Sequence, residues 1–223
     1  MTGTRAAEES PPGYDALLAA DPVLRRIART HGRPDPFHWS AGGRRTATNF
    51  GALLLHITSQ QISTSVAVVL FDRLVAAAGP ELTAAAVADL GPERIHALGL
   101  SHAKSESMVD VARRQISGVI DVENLEALGD DEVVAALTSA RGVGPWTAQM
   151  FLLHQLRRPD VLPAGDLGIR HAIQRAWRLP AVPSVEEAQE FGTRWSPRRS
   201  YAAALLWASL SPPAAGPAAP APP

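Results

Sequence analysis

The chain has 223 residues and a formal net charge of -1, and 46% of its residues are hydrophobic while 19% are charged. This balance is typical of a globular chain, and the length allows one substantial core or two small helical lobes. The absence of cysteine excludes disulfides, thiolate zinc sites and cysteine-ligated iron-sulfur clusters. The sequence contains no apolar run long enough to span a membrane and no secretion signal, so we expect a cytoplasmic protein with no membrane partner.

Charge is unevenly distributed along the chain. Residues 140–223 carry nine arginines and five acidic residues, whereas residues 1–139 are net acidic. The C-terminal part is therefore the better candidate for contact with a polyanion. Residues 1–13 and the proline-rich residues 211–223 are expected to be disordered, which leaves 14–210 as the folded domain.

Apolar residues between these ends recur at helical spacing, with little of the strict alternation that strands show, and predict an all-α fold. Asp21 followed by Pro22 is typical of a helix start, as are Ser101 and the capping box formed by Ser184 and Glu187. Two apolar stripes mark helices in the first half of the chain. The first stripe contains Phe50, Leu53, Leu54 and Ile57, and the second contains Ile62, Val66, Val69, Leu70 and Leu74.

A short glycine-containing turn joins two predicted helices, at 130–139 and 145–155. Gly142 and Gly144 can adopt positive φ values and allow a foreign backbone to approach, while Pro145 removes an amide that would lack a helical partner. Amide groups at such a bend, next to a helix N-terminus, suit an anion such as phosphate. Taken alone, however, two glycines in this arrangement more often form an ordinary helix-helix turn.

A lone acid, Asp166, follows Gly165 and precedes an amphipathic segment that contains Ile169, Ile173 and Trp177. An aspartate in this position is commonly no more than the N-cap of a helix. A second interpretation of Asp166, as a functional carboxylate, comes only from the family resemblance of the chain as a whole.

Five segments in the same order resemble the helix-hairpin-helix DNA glycosylase superfamily, in its 3-methyladenine DNA glycosylase II (alkylation repair) branch. They are "HITSQQIS" (56–63), "LGLSHAKSESMVDVA" (98–112), "RGVGPWTA" (141–148), "LPAGDLGIR" (162–170) and "WSPRRSYAAALLW" (195–207). The resemblance implies two helical lobes flanking a cleft, with a helix-hairpin-helix DNA-binding motif at 130–155. Ala140 and Arg141 stand where many members of the superfamily have an apolar residue and a proline.

The resemblance also implies a function: hydrolysis of the N-glycosidic bond of alkylated purines, such as 3-methyladenine and 7-methylguanine, in double-stranded DNA during base excision repair. Asp166 matches the catalytic aspartate. Gln61, with Gln60 before it, matches the wedge that fills the gap left by a flipped nucleotide. The implied base pocket contains Trp146, Trp207 and Met150, the last in place of an aromatic residue of some relatives. The residues expected to contact DNA phosphates are Arg141, Gly142, Val143, Gly144 and Thr147.

The position of Trp146 carries a further implication, because the strand-cleaving branch of the superfamily has a lysine there that forms a Schiff base with the sugar. The only lysine in this chain is Lys104. A monofunctional hydrolase that leaves an abasic site is therefore expected. The protein is also expected to be a monomer and to associate with the nucleoid when it acts. The only implied cofactor is a monovalent cation at the hairpin carbonyls. His154 and His171 fit no metal-ligand pattern and are interpreted as surface or cleft residues.

Three alternatives remain open at this point. The hairpin could belong to a DNA-binding protein that has no catalytic activity. The substrate could be another damaged base, such as uracil or an oxidised purine. The near-neutral charge and the proline-rich end also fit a helical bundle that contacts other proteins.

Overall fold

The computed structural model describes residues 13–38 and 46–212, and nearly all of the two ends expected to be disordered lie outside these residues. The described chain is helical and contains no strand, which confirms the all-α class. Within the described ranges, no helix has the length and apolar character needed to cross a bilayer. The α-helices are α1 (Tyr14–Ala20), α2 (Pro22–His31), α3 (Asn49–Ser59), α4 (Thr64–Ala78), α5 (Ala84–Ala97), α6 (His102–Ile116), α7 (Asp130–Thr138), α8 (Pro145–His154), α9 (Leu167–Trp177), α10 (Val185–Gly192) and α11 (Arg199–Ala208).

The chain divides into two compact units, in agreement with two helical lobes. The described residues between Phe37 and Arg158 form one, called here the central unit, and the other, the terminal unit, combines the described residues up to Pro36 with those from Pro159 onward. The hairpin predicted at 130–155 belongs to the central unit, whereas Asp166 belongs to the terminal unit.

Helix α3 forms the centre of the core of the central unit. It begins where the Thr48 hydroxyl accepts the Gly51 amide at 3.0 Å, and every one of its residues is buried. It packs against α4, α6 and α8, where Met108 of α6 and Phe151 of α8 are fully buried. Because burial of one such side chain contributes about 1.5–3 kcal/mol, these contacts supply much of the stability of the unit.

The terminal unit brings together segments from both ends of the chain, and α11 packs against α1, α2 and α9. One carboxylate oxygen of Asp21 caps α2 by accepting two amides of its first turn, at 2.9 and 3.0 Å. The other oxygen accepts the indole N-H of the buried Trp195 at 3.0 Å. Asp21 is thus an N-cap, as predicted, and also links two segments of chain that are distant in sequence.

The other predicted helix starts are confirmed, since Ser101 caps α6 and Ser184 with Glu187 forms a capping box on α10. The second apolar stripe is wrong in part. Ile62 precedes α4, and Val66 and Val69 are exposed. The residues of α4 that face the core are Ala67, Phe71 and Leu74. Apolar side chains occur on more than one side of α4, so the periodicity could not identify the side that α3 and α5 cover.

Candidate functional site

The predicted hairpin is present in the central unit, where residues 139–144 join α7 to α8 and Pro145 occupies the first position of α8. Gly142 has a φ of 72°, and the Val143 amide closes the turn by donating to the Ala140 carbonyl at 3.2 Å. The positive φ considered for Gly144 is not observed, because its backbone is extended with a φ of -91°. Nothing lies within 4 Å of a Cβ placed on Gly144, so this side of the bend is open to a ligand.

The amides of the bend differ in whether they are available to an anion. Those of Gly142 and Gly144 donate to no acceptor within the described part of the chain. The Arg141 amide, in contrast, already donates to Asp110 Oδ2 at 2.9 Å. The amides of the bend that remain available to an anion are therefore those of the two glycines and of the first turn of α8, where the helix dipole also favours an anion.

The side chain of Arg141 forms an ion pair with Glu106 at 2.8 Å and remains 67% exposed. An exposed pair of this kind contributes about 0–1 kcal/mol, so a phosphate can replace it at little cost. Burial raises the pKa of Asp110, but the hydrogen bonds from the Arg141 amide and the Arg114 guanidinium outweigh burial and hold it below its ordinary value. Asp110 is thus an ionised anchor for the backbone of the hairpin.

Two of the predicted phosphate contacts have side chains that face the protein. Val143 and Thr147 are buried, with 4% and 2% of their surfaces exposed. The Thr147 hydroxyl also accepts a hydrogen bond from Gln60 at 2.9 Å. A phosphate contact at Thr147 would therefore come from the main chain, whereas the Val143 amide already donates to the Ala140 carbonyl.

The two glutamines proposed as wedge residues lie between α3 and α4 in different environments. Gln60 Nε2 donates to the Gly142 carbonyl at 3.0 Å and to Thr147 Oγ1 at 2.9 Å. Gln61 has a φ of 55°, is exposed, and has no hydrogen-bond partner in the described ranges. Of the two, only Gln61 has a side chain that can extend toward a ligand.

Asp166 is both the N-cap of α9 and the partner of a candidate pocket residue. Its Oδ1 accepts the Ile169 amide at 3.0 Å and the indole N-H of Trp207 at 3.2 Å. Asp166 as a whole residue is partly exposed. A Cβ placed on Gly168 would come within 2.9 Å of Asp166 Oδ1, so the absence of a side chain there leaves room for this arrangement. The terminal unit thus joins the predicted catalytic carboxylate to one predicted aromatic residue of the base pocket.

The other two predicted pocket residues, Trp146 and Met150, lie one turn apart on α8 in the central unit. Trp146 is partly exposed, whereas Met150 is only 5% exposed. Trp146 therefore offers the more accessible surface to a ligand.

The interpretation of His154 as a surface or cleft residue is wrong, because its ring is buried and stacks on the buried His56, with ring centroids 6.0 Å apart. His171, on α9, is exposed as expected. No group of three metal-ligating side chains occurs among the described residues. The donors implied for a monovalent cation are main-chain carbonyls. Those of Ala140 and Gly142 each accept one internal hydrogen bond and retain a second lone pair.

Lys104 makes contacts that its sequence neighbours do not indicate. Its ammonium group donates to the carbonyls of Thr58 and Gln60 at 2.8 and 2.6 Å, and burial lowers its pKa below the ordinary value. The lack of any other lysine was visible in the sequence, but these partners are 44 and 46 residues away along the chain.

Comparison with protein-family models matches residues 55–198 to the HhH-GPD superfamily base excision DNA repair protein. The chain belongs to this superfamily. The matched region contains the hairpin, Asp166 and the loop with the two glutamines.

Members with assigned names are similar to the chain over most of its length. DNA-3-methyladenine glycosylase 1 of Schizosaccharomyces pombe is 34% identical over 158 residues, which are 70% of this chain and 69% of that protein. The putative DNA-3-methyladenine glycosylase YfjP of Bacillus subtilis is 29% identical over 168 residues, and the match spans 72% of this chain but only 58% of the relative. Among solved structures, the S. pombe 3-methyladenine DNA glycosylase Mag1 in complex with abasic DNA has a TM-score of 0.76 at 27% identity, covering 88% of this chain and 95% of that one.

Proposed function

We propose that this HhH-GPD protein is a monofunctional DNA glycosylase that hydrolyses the N-glycosidic bond of alkylated purines in double-stranded DNA and leaves an abasic site. The names of the similar proteins support the alkylated-base substrate. The observation that carries the proposal is the Asp166 carboxylate, held at the start of α9 by the Ile169 amide and the Trp207 indole. In this proposal the protein acts as a monomer.

Asp166 would stabilise the charge that develops as the base leaves. Departure of the base makes the deoxyribose cationic, and a nearby carboxylate stabilises this transition state more than the neutral ground state. The same carboxylate can orient or deprotonate the attacking water. The two N-H groups that bind Oδ1 restrict the rotation of the carboxylate and so reduce the reorganisation needed during the reaction.

The aromatic residues account for the choice of substrate. A purine alkylated at N3 or N7 carries a positive charge, which makes it a good leaving group and a good partner for an electron-rich ring. Stacking of such a cation on an indole contributes about 0.5–2 kcal/mol. Trp207, next to Asp166, and the partly exposed Trp146 are the residues assigned to this role.

The hairpin would hold the DNA backbone without recognising bases, through the Gly142 and Gly144 amides and the first turn of α8. Arg141 would exchange its exposed ion pair with Glu106 for a phosphate. The Ala140 and Gly142 carbonyls would hold the monovalent cation, whose charge also attracts phosphate. Gln61 would fill the space left in the duplex by the flipped nucleotide.

The lysine content of the chain supports the assignment as a hydrolase without lyase activity. Trp146 cannot form a Schiff base, and Lys104 donates to two carbonyls at the end of α3. Borohydride should therefore trap no covalent complex between the protein and damaged DNA. Recovery of such a complex would contradict this part of the proposal.

The decisive experiment compares the native protein with Asp166→Asn in single-turnover release of 3-methyladenine from a duplex. Asparagine preserves the helix cap and the size of the side chain but removes the negative charge. We expect release to fall by at least about a hundredfold while affinity for the duplex is retained. Asp15→Asn, at an exposed position of the same unit, is the matched control and should release base at the native rate.

Equal release by the native and Asp166→Asn proteins would refute the catalytic assignment. DNA binding without release by the native protein would favour a binding protein that has no catalytic activity. The same assay with 7-methylguanine, hypoxanthine, 1,N6-ethenoadenine and uracil tests the substrate assignment, and preferential release of uracil would overturn it.

A further inference from the structure

The loop between α3 and α4 is tied directly to the hairpin by one side chain. Gln60 Nε2 donates both of its protons, one to the Gly142 carbonyl and one to Thr147 Oγ1. A main-chain carbonyl only accepts hydrogen bonds, so the NH₂ group of the amide, and not its oxygen, must face Gly142. The orientation of the Gln60 side chain is therefore determined by the hairpin.

The same loop is held from a second side by α6. The ammonium of Lys104 donates to the Thr58 and Gln60 carbonyls at 2.8 and 2.6 Å, at the end of α3. These carbonyls lack partners in their own helix, and a positive charge at a helix C-terminus is favoured by the helix dipole.

Helix α6 supports the hairpin as well. Asp110, nearly two turns after Lys104, accepts the Arg141 amide, and Ser107 lies so close to Gly142 that a Cβ there would overlap the Ser107 hydroxyl. One face of α6 therefore contacts both the hairpin and the loop that carries Gln61.

We infer that Gln60 and Lys104 are positioning residues that fix the Gln61 loop to the hairpin, so that the phosphate contact and the insertion of Gln61 into the duplex occur as one rigid unit. This inference rests on the proposed function and refines it, because Gln60 is assigned to positioning and the wedge is Gln61 alone. When the hairpin binds a phosphate of the DNA backbone, Gln61 is then held at a fixed distance from that phosphate. No rearrangement of the loop is needed before the nucleotide is flipped.

Base flipping can be measured without catalysis, which separates this inference from the proposed function. All variants are prepared in an Asp166→Asn background and mixed with a duplex that contains a damaged base beside 2-aminopurine, whose fluorescence rises when stacking is lost. Gln60→Met keeps the length of the side chain and removes both hydrogen bonds. We expect it to lower the equilibrium constant for flipping about tenfold, which corresponds to about 1.4 kcal/mol, with affinity for undamaged duplex retained.

A double-mutant cycle distinguishes positioning from a general structural effect. If Gln60 acts through Gln61, then Gln60→Met should cause no further loss of flipping in a Gln61→Ala background. Lys104→Met should behave in the same way as Gln60→Met. Gln189→Met, an exposed substitution on α10 in the terminal unit, is the matched control and should flip the base as the Asp166→Asn parent does.

Two results would overturn the inference. One is an equal loss from Gln60→Met in the presence and absence of the Gln61 side chain, which would mean that the contacts only stabilise the fold. The other is unchanged base flipping by Gln61→Ala, which would mean that the Gln61 side chain has no role in flipping for Gln60 and Lys104 to support. Urea unfolding of each variant identifies any that are not folded, and if Lys104→Met does not fold, the cycle with Gln60→Met decides the question.

Discussion

Replacement of Gly142 by alanine tests the geometry of the hairpin most directly. The φ of 72° lies in the left-handed region, where an L-residue costs about 1–2 kcal/mol. The added methyl group would also overlap the Ser107 hydroxyl and lie 3.0 Å from Ser107 Cβ. That hydroxyl donates to the Ala103 carbonyl at 2.7 Å, and rotating it away would lose a hydrogen bond of about 1 kcal/mol. The free energy of unfolding should therefore fall by about 2–3 kcal/mol.

Urea denaturation of purified proteins measures this change, and two further variants separate its parts. In a Ser107→Ala background, which removes the overlapping hydroxyl, Gly142→Ala should cost about 1 kcal/mol less. Gly144→Ala should change stability by no more than about 0.5 kcal/mol, because its backbone is extended and nothing lies within 4 Å of the added Cβ. Affinity for duplex DNA should nevertheless fall in Gly144→Ala, since the methyl group would occupy the open side of the bend.

Two outcomes would refute this reasoning. A loss of less than about 1 kcal/mol in Gly142→Ala would show that the turn tolerates a side chain. An identical loss with and without the Ser107 hydroxyl would show that overlap with this hydroxyl contributes nothing.

Two further predictions concern stability and the carboxylate. Burial and, to a smaller extent, the charge of His154 lower the pKa of His56 from 6.5 to about 3. At pH values between these two, the His56 ring is protonated in the unfolded chain but neutral in the folded protein. The stability that neutral His56 contributes is therefore fully present above the pKa of His56 in the unfolded chain. The free energy of unfolding should fall by about 1.4 kcal/mol per pH unit as the pH decreases from about 6 toward 3. His56→Gln should flatten this part of the profile, and an unchanged slope would contradict the assignment. Trp207→Phe, which removes the N-H that donates to Asp166, should slow single-turnover base release about tenfold, with Trp177→Phe as the control; a native rate in Trp207→Phe would exclude a role for that hydrogen bond.

Much of the fold was predictable because its signals are local. A helix N-cap acts on amides two or three residues away, so Asp21, Ser101 and Ser184 could be recognised from their neighbours. The hairpin was predictable for the same reason, since glycine allows the positive φ of a tight turn and proline fixes φ at the first position of the following helix. Asp166 was singled out only because its distance to that turn matches the family that the chain resembles, since its local surroundings are those of an ordinary N-cap.

Other features depend on residues that are distant in sequence and could not be predicted from it. Periodicity located α4 but not its buried side, which is decided by the helices that cover it. His154 is buried because its helix packs on α3 beside His56, and no neighbouring residue indicates this. The two adjacent glutamines look equivalent in sequence, yet the hairpin, 82 and 87 residues away, binds one of them and leaves the other exposed.

The sequence alone thus determined the helical class, the helix starts and the glycine-proline bend, because each depends on the conformational preferences of a few adjacent residues. Only the tertiary structure decided which amides of the bend remain unpaired, which glutamine is exposed, and which groups hold the carboxylate. Those outcomes depend on hydrogen bonds and packing between distant segments, which form only when the chain is folded.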